Sequence, residues 1–263
     1  MLKVLVNGAL GKMGRETLKA ISSAPNLQLV GAVDINASGQ QVQQITGINS
    51  SVVVTSNLQD TLEQVKPDVV VDFTRPDVVM ANLRVILAYG VAAVVGTTGF
   101  TEENRLELDT LSKAKNTSVL IAPNFSIGAI LMMKYSAEII KYMPKAEIIE
   151  LHHDQKLDAP SGTAMLTAKM MAEARGGYLK QGAEGEKELL TGARGGDYEG
   201  IRVHSVRLQG YVAHQEVIFG GLGETLTIRH DSISRESFMP GVVLACGKIK
   251  DHVGMVYGLD KLL

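Results

Sequence analysis

A glycine-punctuated turn set between two short apolar runs places the strongest constraint on the fold of this chain. Leu2 to Val6 is rich in branched apolar residues, as a strand buried on both faces of a parallel sheet requires. It runs into Asn7-Gly8-Ala9-Leu10-Gly11-Lys12-Met13-Gly14, followed by a helical pattern through Ile21. Pro25-Asn26 breaks that pattern, and a second strand, Leu27 to Val33, ends at Asp34. Strand, glycine turn, helix, strand and terminal acid is the order of a dinucleotide-binding βαβ unit. Gly8 and Gly11 let a pyrophosphate approach the main chain, and the N–H groups at the helix start bind the phosphates. Asp34 lies 20 residues beyond Gly14, where such a unit places its ribose-binding acid. The spacing is G-x-x-G-x-x-G, a variant of the commoner G-x-G-x-x-G. A bare glycine turn would match many loops, and it is the flanking strands and the acid that single out the cofactor reading.

The alternation continues. Val52 to Thr55, Asp68 to Phe73, Val91 to Val95 and Val119 to Ala122 read as strands. Asn57 to Val65, Val78 to Tyr89 and Glu102 to Ala114 read as helices between them. This predicts an α/β fold whose first domain is a doubly wound, parallel, Rossmann-type sheet. Ligands in such sheets bind outside the carboxyl ends of the strands. Three strand ends are chemically suited: Phe73-Thr74, Gly96-Thr97-Thr98-Gly99 and Ala122-Pro123-Asn124-Phe125. All three share an edge with Gly8 to Gly14.

After Ser126 the pattern changes. A helix is expected from Ile127 to about Tyr142, stopped by Pro144, and Ala146 to His153 follows as a strand. Ser161 to Ala174 reads as a helix, and Ile201 to Leu208, Gln215 to Phe219 and Glu224 to Asp231 as strands. Strands without intervening helices indicate a mixed sheet and a second, α+β domain. Gly176 to Gly200 is glycine- and charge-rich, with the character of a long mobile loop. Ser232 to Glu236 caps a final helix through Lys248, and Val253 to Leu259 returns to the first domain. The expected division is residues 1–126, completed by 234–263, for cofactor binding, and 127–233 for substrate binding and oligomerisation.

The chemistry concentrates at His152-His153-Asp154-Gln155-Lys156, which runs into Asp158-Ala159-Pro160-Ser161-Gly162-Thr163. Two imidazoles and an ammonium can handle protons. Ser161 is a natural N-cap, and Pro160 keeps the helix from starting earlier. The N–H groups of Gly162 and Thr163, with the two hydroxyls, form an anion site suited to a carboxylate. If His152 and His153 both keep strand geometry, they face opposite ways and cannot share a task. His152, His153, Asp154 and Asp158 could be zinc ligands, but neighbouring strand residues diverge and no second ligand cluster exists, so no metal is expected. His204, His214, His230 and His252 stand alone and read as structural, while Arg207 and Arg229 could face a dicarboxylate or a subunit interface.

Composition narrows the class. With 263 residues, 45% of them apolar, the chain can bury a sizeable core. A formal charge of −2 and the lack of a basic stripe argue against nucleic acid, and no apolar run is long enough for a bilayer. Cys246 is the only cysteine and lies in an apolar helix, which fits a reducing, cytoplasmic setting and argues against thiol chemistry.

These motifs occur together, and in the same order, in a known family. Besides Gly8 to Gly14 they are Asp72-Phe73-Thr74-Arg75-Pro76, Gly96 to Gly99, Asn124-Phe125-Ser126 and Glu150-Leu-His-His153. Lys156-Leu-Asp-Ala-Pro-Ser-Gly-Thr163, Arg229-His-Asp-Ser232 and Ser234 to Gly241 complete the set. Over its whole length the chain resembles the 4-hydroxy-tetrahydrodipicolinate reductase (dihydrodipicolinate reductase) family. The resemblance implies a two-domain homotetramer of the diaminopimelate route to lysine. It would use NADH or NADPH to reduce a cyclic, imine-containing dicarboxylate to tetrahydrodipicolinate, losing the 4-hydroxyl as water. It also implies roles: His152 as proton donor and acceptor, Lys156 as proton donor, and His153, Gly162 and Thr163 in substrate binding beside the Ser161 cap. Gly8, Ala9, Leu10, Gly11, Lys12, Met13, Asp34, Phe73, Gly96, Thr97, Thr98, Ala122, Pro123, Asn124 and Phe125 would bind cofactor.

One position departs from the family pattern. Many members carry arginine after the acid that ends the second strand, where it can pair with the 2′-phosphate of NADPH. Here Ile35 and Asn36 follow Asp34, and Lys12 is the one nearby cation in the sequence. The expectation is dual use, with NADH at least as efficient as NADPH. Two rival readings are another two-domain NAD(P)-dependent dehydrogenase and a non-catalytic dinucleotide-sensing protein. The first leaves the Ser161 to Thr163 anion site unexplained, and the second needs no proton donors.

Overall fold

The computed structural model describes residues 1–263, which form two compact units. Residues 1–126 and 235–263 make the first, and 127–234 the second. The first opens with β1 (Leu2–Asn7), α1 (Lys12–Ser23), β2 (Leu27–Val33), α2 (Val42–Thr46), β3 (Val54–Thr55) and α3 (Leu58–Val65). It continues with β4 (Val69–Asp72), α4 (Val79–Ala88), β5 (Ala92–Val95), α5 (Glu102–Ala114) and β6 (Ser118–Ile121). Val4 to Val6, Val69 to Val71 and Ala92 to Val95 are buried on both sheet faces, which explains their unbroken apolar runs. The helices start where their caps dictate. Thr101 accepts the Asn104 N–H while the Asn104 side chain accepts that of Thr101, with Glu102 and Glu103 in the favourable first turn of α5.

The second unit comprises α6 (Ile127–Ile139), β7 (Lys145–His152), α7 (Gly162–Arg175), β8 (Gly196–Tyr198), β9 (Ile201–Arg207), β10 (Ala213–Gly221) and β11 (Glu224–Ser232). Its sheet runs β11-β10-β7-β9-β8, with β7 and β9 parallel and the other neighbours antiparallel. Helix α6 ends three residues before the expected Tyr142. The residue before Pro144 is barred from helical geometry, and the chain leaves through tighter turns, Tyr142 and Met143 both donating to the Ile139 carbonyl. Alternation along β7 separates two faces. Ala146, Ile148 and Glu150 are buried beneath the helices, where α7 packs on β7 and β9. Ile149 and Leu151 on the other face are half-buried. The segment read as a bare loop, 176–200, contains the short β8 and is cross-braced. Arg194 pairs with Glu147 at 2.7 Å and Glu186 at 2.6 Å, and Glu188 accepts the N–H groups of Gly192 and Arg194.

The chain then returns to the first unit. A 3-10 turn over Arg235–Phe238 precedes α8 (Met239–Lys248), where a single helix from Ser232 was expected. Pro240 explains the break, because a residue without an N–H is tolerated only in the first helical turn. β12 (Gly254–Tyr257) adds in parallel to β6, giving a seven-stranded sheet in the order β12-β6-β5-β4-β1-β2-β3. Order reverses between β1 and β4, the position at which a doubly wound sheet opens a crevice at its carboxyl edge. No helix is long and apolar enough to cross a membrane.

Candidate active site

The switch point of the first sheet is built around the glycine turn. Gly8 has a φ of +81°, and a Cβ there would stand 2.8 Å from the Phe73 carbonyl oxygen. Gly14 lies so close to the Gly8 carbonyl that a Cβ would collide with it, so α1 sits directly on the turn. Gly8 and Ala9 donate to the Val33 carbonyl, and Gly11 to that of Gly8. The first helical bond runs from the Arg15 N–H to the Gly11 carbonyl. Lys12, Met13 and Gly14 thus present their N–H groups ahead of the ladder, where a phosphate is best held. Asp34 is 9% exposed and accepts the Leu10 and Asn36 N–H groups, both at 3.0 Å. It therefore shapes the turn itself, a role the sequence did not disclose.

At the end of β4, the fully buried Asp72 accepts hydrogen bonds from the Asn7 side chain at 2.8 Å, the Thr74 N–H at 2.9 Å and the Thr74 hydroxyl at 2.6 Å. The Asn82 amide adds a fourth at 3.1 Å. Burial pushes the Asp72 carboxyl up, against the pull of these donors. The knot fixes the Phe73 to Arg75 loop beside Gly8. The Phe73 ring occupies the space a side chain at Gly96 would need, and it meets Phe125 edge-on at 5.7 Å between centroids. Thr97 donates its hydroxyl to the Thr74 carbonyl, Thr98 is exposed, and Asn124 accepts the Ser126 N–H. Ala122 is buried and Pro123 exposed on the same strand edge.

A cavity of about 720 Å³ continues this edge past β2 and β3. Ile35, Asn36, Ser56, Thr74 and Arg75 are among its lining residues. Ile35 is 73% exposed. Lys12 is not among the lining residues, whereas Arg75 is, its guanidinium held by Asp77 at 2.8 Å. The sequence reading missed Arg75 because only the topology brings the β4–α4 loop beside the end of β2. A nicotinamide dinucleotide fits this edge on three counts: the Cβ-free cradle, the helix start, and a cavity beside Asp34.

The second unit gathers titratable side chains at the end of β7. His152 is the last residue of β7, and Glu150, two residues earlier, shares its face. Glu150 is fully buried. Its Oε2 meets His152 Nδ1 at 2.5 Å and accepts from Arg207 at 2.9 Å. Its Oε1 accepts from Arg207 at 2.8 Å and from the Ser161 N–H at 3.2 Å. Burial alone would raise the Glu150 carboxyl, but hydrogen bonds from His152, Arg207 and Ser205 overcome it and hold the group at about 2. Since Nδ1 of His152 is committed to a carboxylate that only accepts, Nε2 is the nitrogen left for exchange with a ligand.

His153 lies beyond the strand end and is exposed, so the two imidazoles occupy different settings. The Lys156 N–H closes a turn onto the His153 carbonyl, and its ammonium is paired with Asp158 at 2.7 and 2.8 Å. Ser161 caps α7: its hydroxyl accepts the Ala164 N–H at 3.2 Å, and the residue is 3% exposed. That hydroxyl serves the helix, whose first backbone bond runs from the Met165 N–H to the Ser161 carbonyl. A Cβ at Gly162 would meet nothing within 4 Å, so the space before the helix is open.

Arg207, for which two roles stood open in the sequence, is the counterion of Glu150 and also donates to the Asp158 carbonyl at 2.7 Å. Arg229 pairs with Glu216 and Asp231 on the other sheet face. His204 pairs there with Glu147 and His214 with Asp231. Cys246 is fully buried and its thiol is pushed up to about 12, so it is inert as a nucleophile. Neither the link from Glu150 to His152 nor the pairing of Arg207 with Glu150 was read from the single motifs.

Known proteins of the same make-up exist. Residues 2–125 match the family model described as dihydrodipicolinate reductase, N-terminus, and residues 128–263 match that of its C-terminus. A 4-hydroxy-tetrahydrodipicolinate reductase of Listeria monocytogenes serotype 4b is 52% identical over 263 residues, covering 100% of both chains. One from Syntrophomonas wolfei is 51% identical over 99% of this chain and 98% of its own. Among solved structures, a dipicolinate-bound dihydrodipicolinate reductase from Paenisporosarcina superposes with a TM-score of 0.91 at 43% identity, covering 100% of both chains. An amine dehydrogenase from Mycobacterium smegmatis shares the fold alone, with a TM-score of 0.66 at 14% identity.

Proposed function

We infer the division of labour among these residues from the premise that the chain belongs to the dihydrodipicolinate reductase family. It is an NAD(P)H-dependent oxidoreductase that converts 4-hydroxy-tetrahydrodipicolinate to tetrahydrodipicolinate in the diaminopimelate route to lysine. The net change adds one hydride and one proton to the ring, and the 4-hydroxyl leaves as water.

The nicotinamide dinucleotide supplies the hydride when bound, and residues 8–13, Asp34, Phe73, 96–98 and 122–125 hold it. The N–H groups of Lys12 and Met13 take the phosphates. Asp34 takes the adenosine ribose while bracing the turn from the other side. In the second unit His152 holds a proton at Nε2 and delivers it to the substrate. Lys156 is the second proton donor, and it must exchange its pairing with Asp158 for the substrate. His153 and the start of α7 grip the dicarboxylate, with Ser161 as the cap that keeps the Gly162 and Thr163 N–H groups aimed outward. The dipicolinate bound by the Paenisporosarcina relative is a planar ring with two carboxylates, the guest this arrangement suits. The single observation that carries the reading is that His152 and the Ser161 N–H meet on one buried carboxylate, Glu150. The proton donor and the anion grip are thus parts of one site. Its test is steady-state turnover of His152→Gln with the product of the preceding synthase reaction as substrate. Wild-type turnover would remove His152 from its role.

Two further assignments belong to the same reading. The face of the second sheet that carries Ile149, Leu151, Val206 and Ile218, framed by the Glu147–His204 and Glu216–Arg229 pairs, is where copies associate into a homotetramer. Sedimentation of wild type against Leu151→Glu tests it. A biosynthetic substrate and a single buried thiol support a cytoplasmic setting. On cofactor choice, Asp34 favours NADH and Ile35 adds no charge for a 2′-phosphate, so both cofactors serve and NADH is at least as efficient.

A further inference from the structure

We propose that Glu150 is the positioning residue that locks the proton donor His152 and the anion-binding start of α7 into one rigid assembly, with Arg207 as its fixed counterion. The proposal rests on the reading of His152 as proton donor. Three features of the geometry support it. First, the two carboxylate oxygens divide the work: Oε2 receives His152 Nδ1 at 2.5 Å, and Oε1 receives the Ser161 N–H at 3.2 Å. A shift of the carboxylate displaces both the imidazole and the cap of α7. Second, the Arg207 fork bridges both oxygens at 2.9 and 2.8 Å, and the same arm reaches the Asp158 carbonyl at 2.7 Å. Rotation of the carboxylate is blocked, and the 153–160 turn is tied to β9. Third, Glu150 is fully buried among these groups and Ser205, so it acts through others and does not itself touch substrate.

The charges around His152 define what the carboxylate does. On β7 itself there is Glu150. On β9 the residue in register is Arg207, and on β10 it is the apolar Ala213. From the adjoining turn come Lys156 and Asp158, which neutralise each other. The carboxylate of Glu150 is therefore the anion in direct contact with the imidazole. It fixes the tautomer with Nδ1 protonated and leaves Nε2 for the substrate. Glutamine at 150 keeps the shape. It loses that charge and turns an N–H₂ toward donors that need an acceptor.

The experiment is a double-mutant cycle on the full-length enzyme, following kcat, KM and the pH profile for wild type, Glu150→Gln, His152→Gln and the double variant. Glu150→Gln is expected to lower kcat by about 10- to 100-fold, the loss common when the partner that orients a functional histidine is removed. The alkaline limb of its pH profile should move to lower pH, and KM should rise severalfold through the loosened Ser161 cap. In the His152→Gln background the same change should cost kcat less than about threefold, because its route to the chemistry is already gone, while the KM effect persists. If Glu150→Gln multiplies fully with His152→Gln in kcat, or leaves the pH profile unmoved, the coupling is overturned and Glu150 is only a structural acid. If His152→Gln alone turns over like wild type, the proton-donor reading fails instead, so the two failures are told apart. Should Glu150→Gln not fold by circular dichroism, Arg207→Lys keeps the charge while losing one arm of the fork. It is expected to lower kcat and raise KM together, each by less than Glu150→Gln, and unchanged kcat and KM overturn the proposal.

Discussion

Glu150 and His152 stand two residues apart on β7 and meet across 2.5 Å from carboxylate oxygen to Nδ1. The contact follows from the period of a strand, which returns every second side chain to one face. Leu151 between them turns to the other face, so the strand presents the hydrogen-bonded pair on one side and an apolar residue on the other.

Replacing His152 by glutamine, or Lys156 by methionine, should lower kcat by about two to four orders of magnitude, the usual contribution of a positioned proton donor. Binding of reduced nicotinamide cofactor, followed by its fluorescence, should stay as in wild type, since the residues proposed to hold it lie in the other unit. Loss of cofactor binding in step with turnover would mean that the variants damage the fold rather than the chemistry.

The start of α7 should behave as a carboxylate grip. Thr163→Val is expected to raise KM for the dicarboxylate with a smaller change in kcat, and Gly162→Val to raise it further by filling the open space before the helix. Ser161→Ala removes the cap and should cost about 1 kcal/mol of stability besides its effect on KM. Unchanged KM in all three variants, with the fold intact, would place the grip elsewhere.

The parts of this molecule that depend on local pattern were readable in its sequence. Unbroken apolar runs predicted strands buried on both faces, and Ser161 after Pro160 marked the start of α7 correctly. The Glu150–His152 contact was also within reach, because glutamate and histidine at alternate positions of a predicted strand must share a face. What stayed hidden depends on registers between distant segments. Arg207 reaches Glu150 across 57 residues, because β9 lies parallel to β7 in a register that pairs His152 with Arg207. Arg75 borders the cavity next to Ile35 only because β4 and β2 both flank β1. Helix α2, at five residues, is too short to impose a period on the sequence.

Glu150 should leave a mark on acid stability. Its carboxyl is held at about 2, below the 4.5 of an unperturbed glutamate, so the folded state prefers it charged. A depression of this size corresponds to about 3 kcal/mol. That stability is fully present above the unfolded value, near pH 4.5, and is lost as the pH falls toward 2. Wild type should therefore lose Tm steeply across this window, and Glu150→Gln, with no group to titrate, should lose it less steeply. Parallel Tm curves for the two proteins would contradict the assignment.

Gly14 tests the turn. A methyl group there collides with the Gly8 carbonyl, which is main chain and cannot swing aside. Gly14→Ala should cost about 3 kcal/mol, at the upper end for overpacking, and should abolish cofactor binding before substrate binding is affected. An alanine variant with normal Tm and normal cofactor affinity would show that the α1–turn contact is looser than the structure has it.

Cofactor choice turns on which cation can reach a 2′-phosphate. On the proposed reading Asp34 would accept hydrogen bonds from an adenosine ribose and repel an added phosphate, and the neighbouring Ile35 is exposed and uncharged. Lys12 is exposed at the first position of α1 but does not line the cavity beside Ile35. Arg75 does line it, with its charge balanced by Asp77. Wild type should thus use both cofactors, with kcat/KM for NADH at least equal to that for NADPH. Ile35→Arg should move the ratio toward NADPH by about tenfold, as one partly realised charge-assisted contact of roughly 1.5–3 kcal/mol would. Asp77→Asn, which releases Arg75 from its partner, should move the ratio in the same direction by less, and Lys12→Met should leave it nearly unchanged. A strong wild-type preference for NADPH that survives Arg75→Met and vanishes in Lys12→Met would return the phosphate contact to the glycine turn.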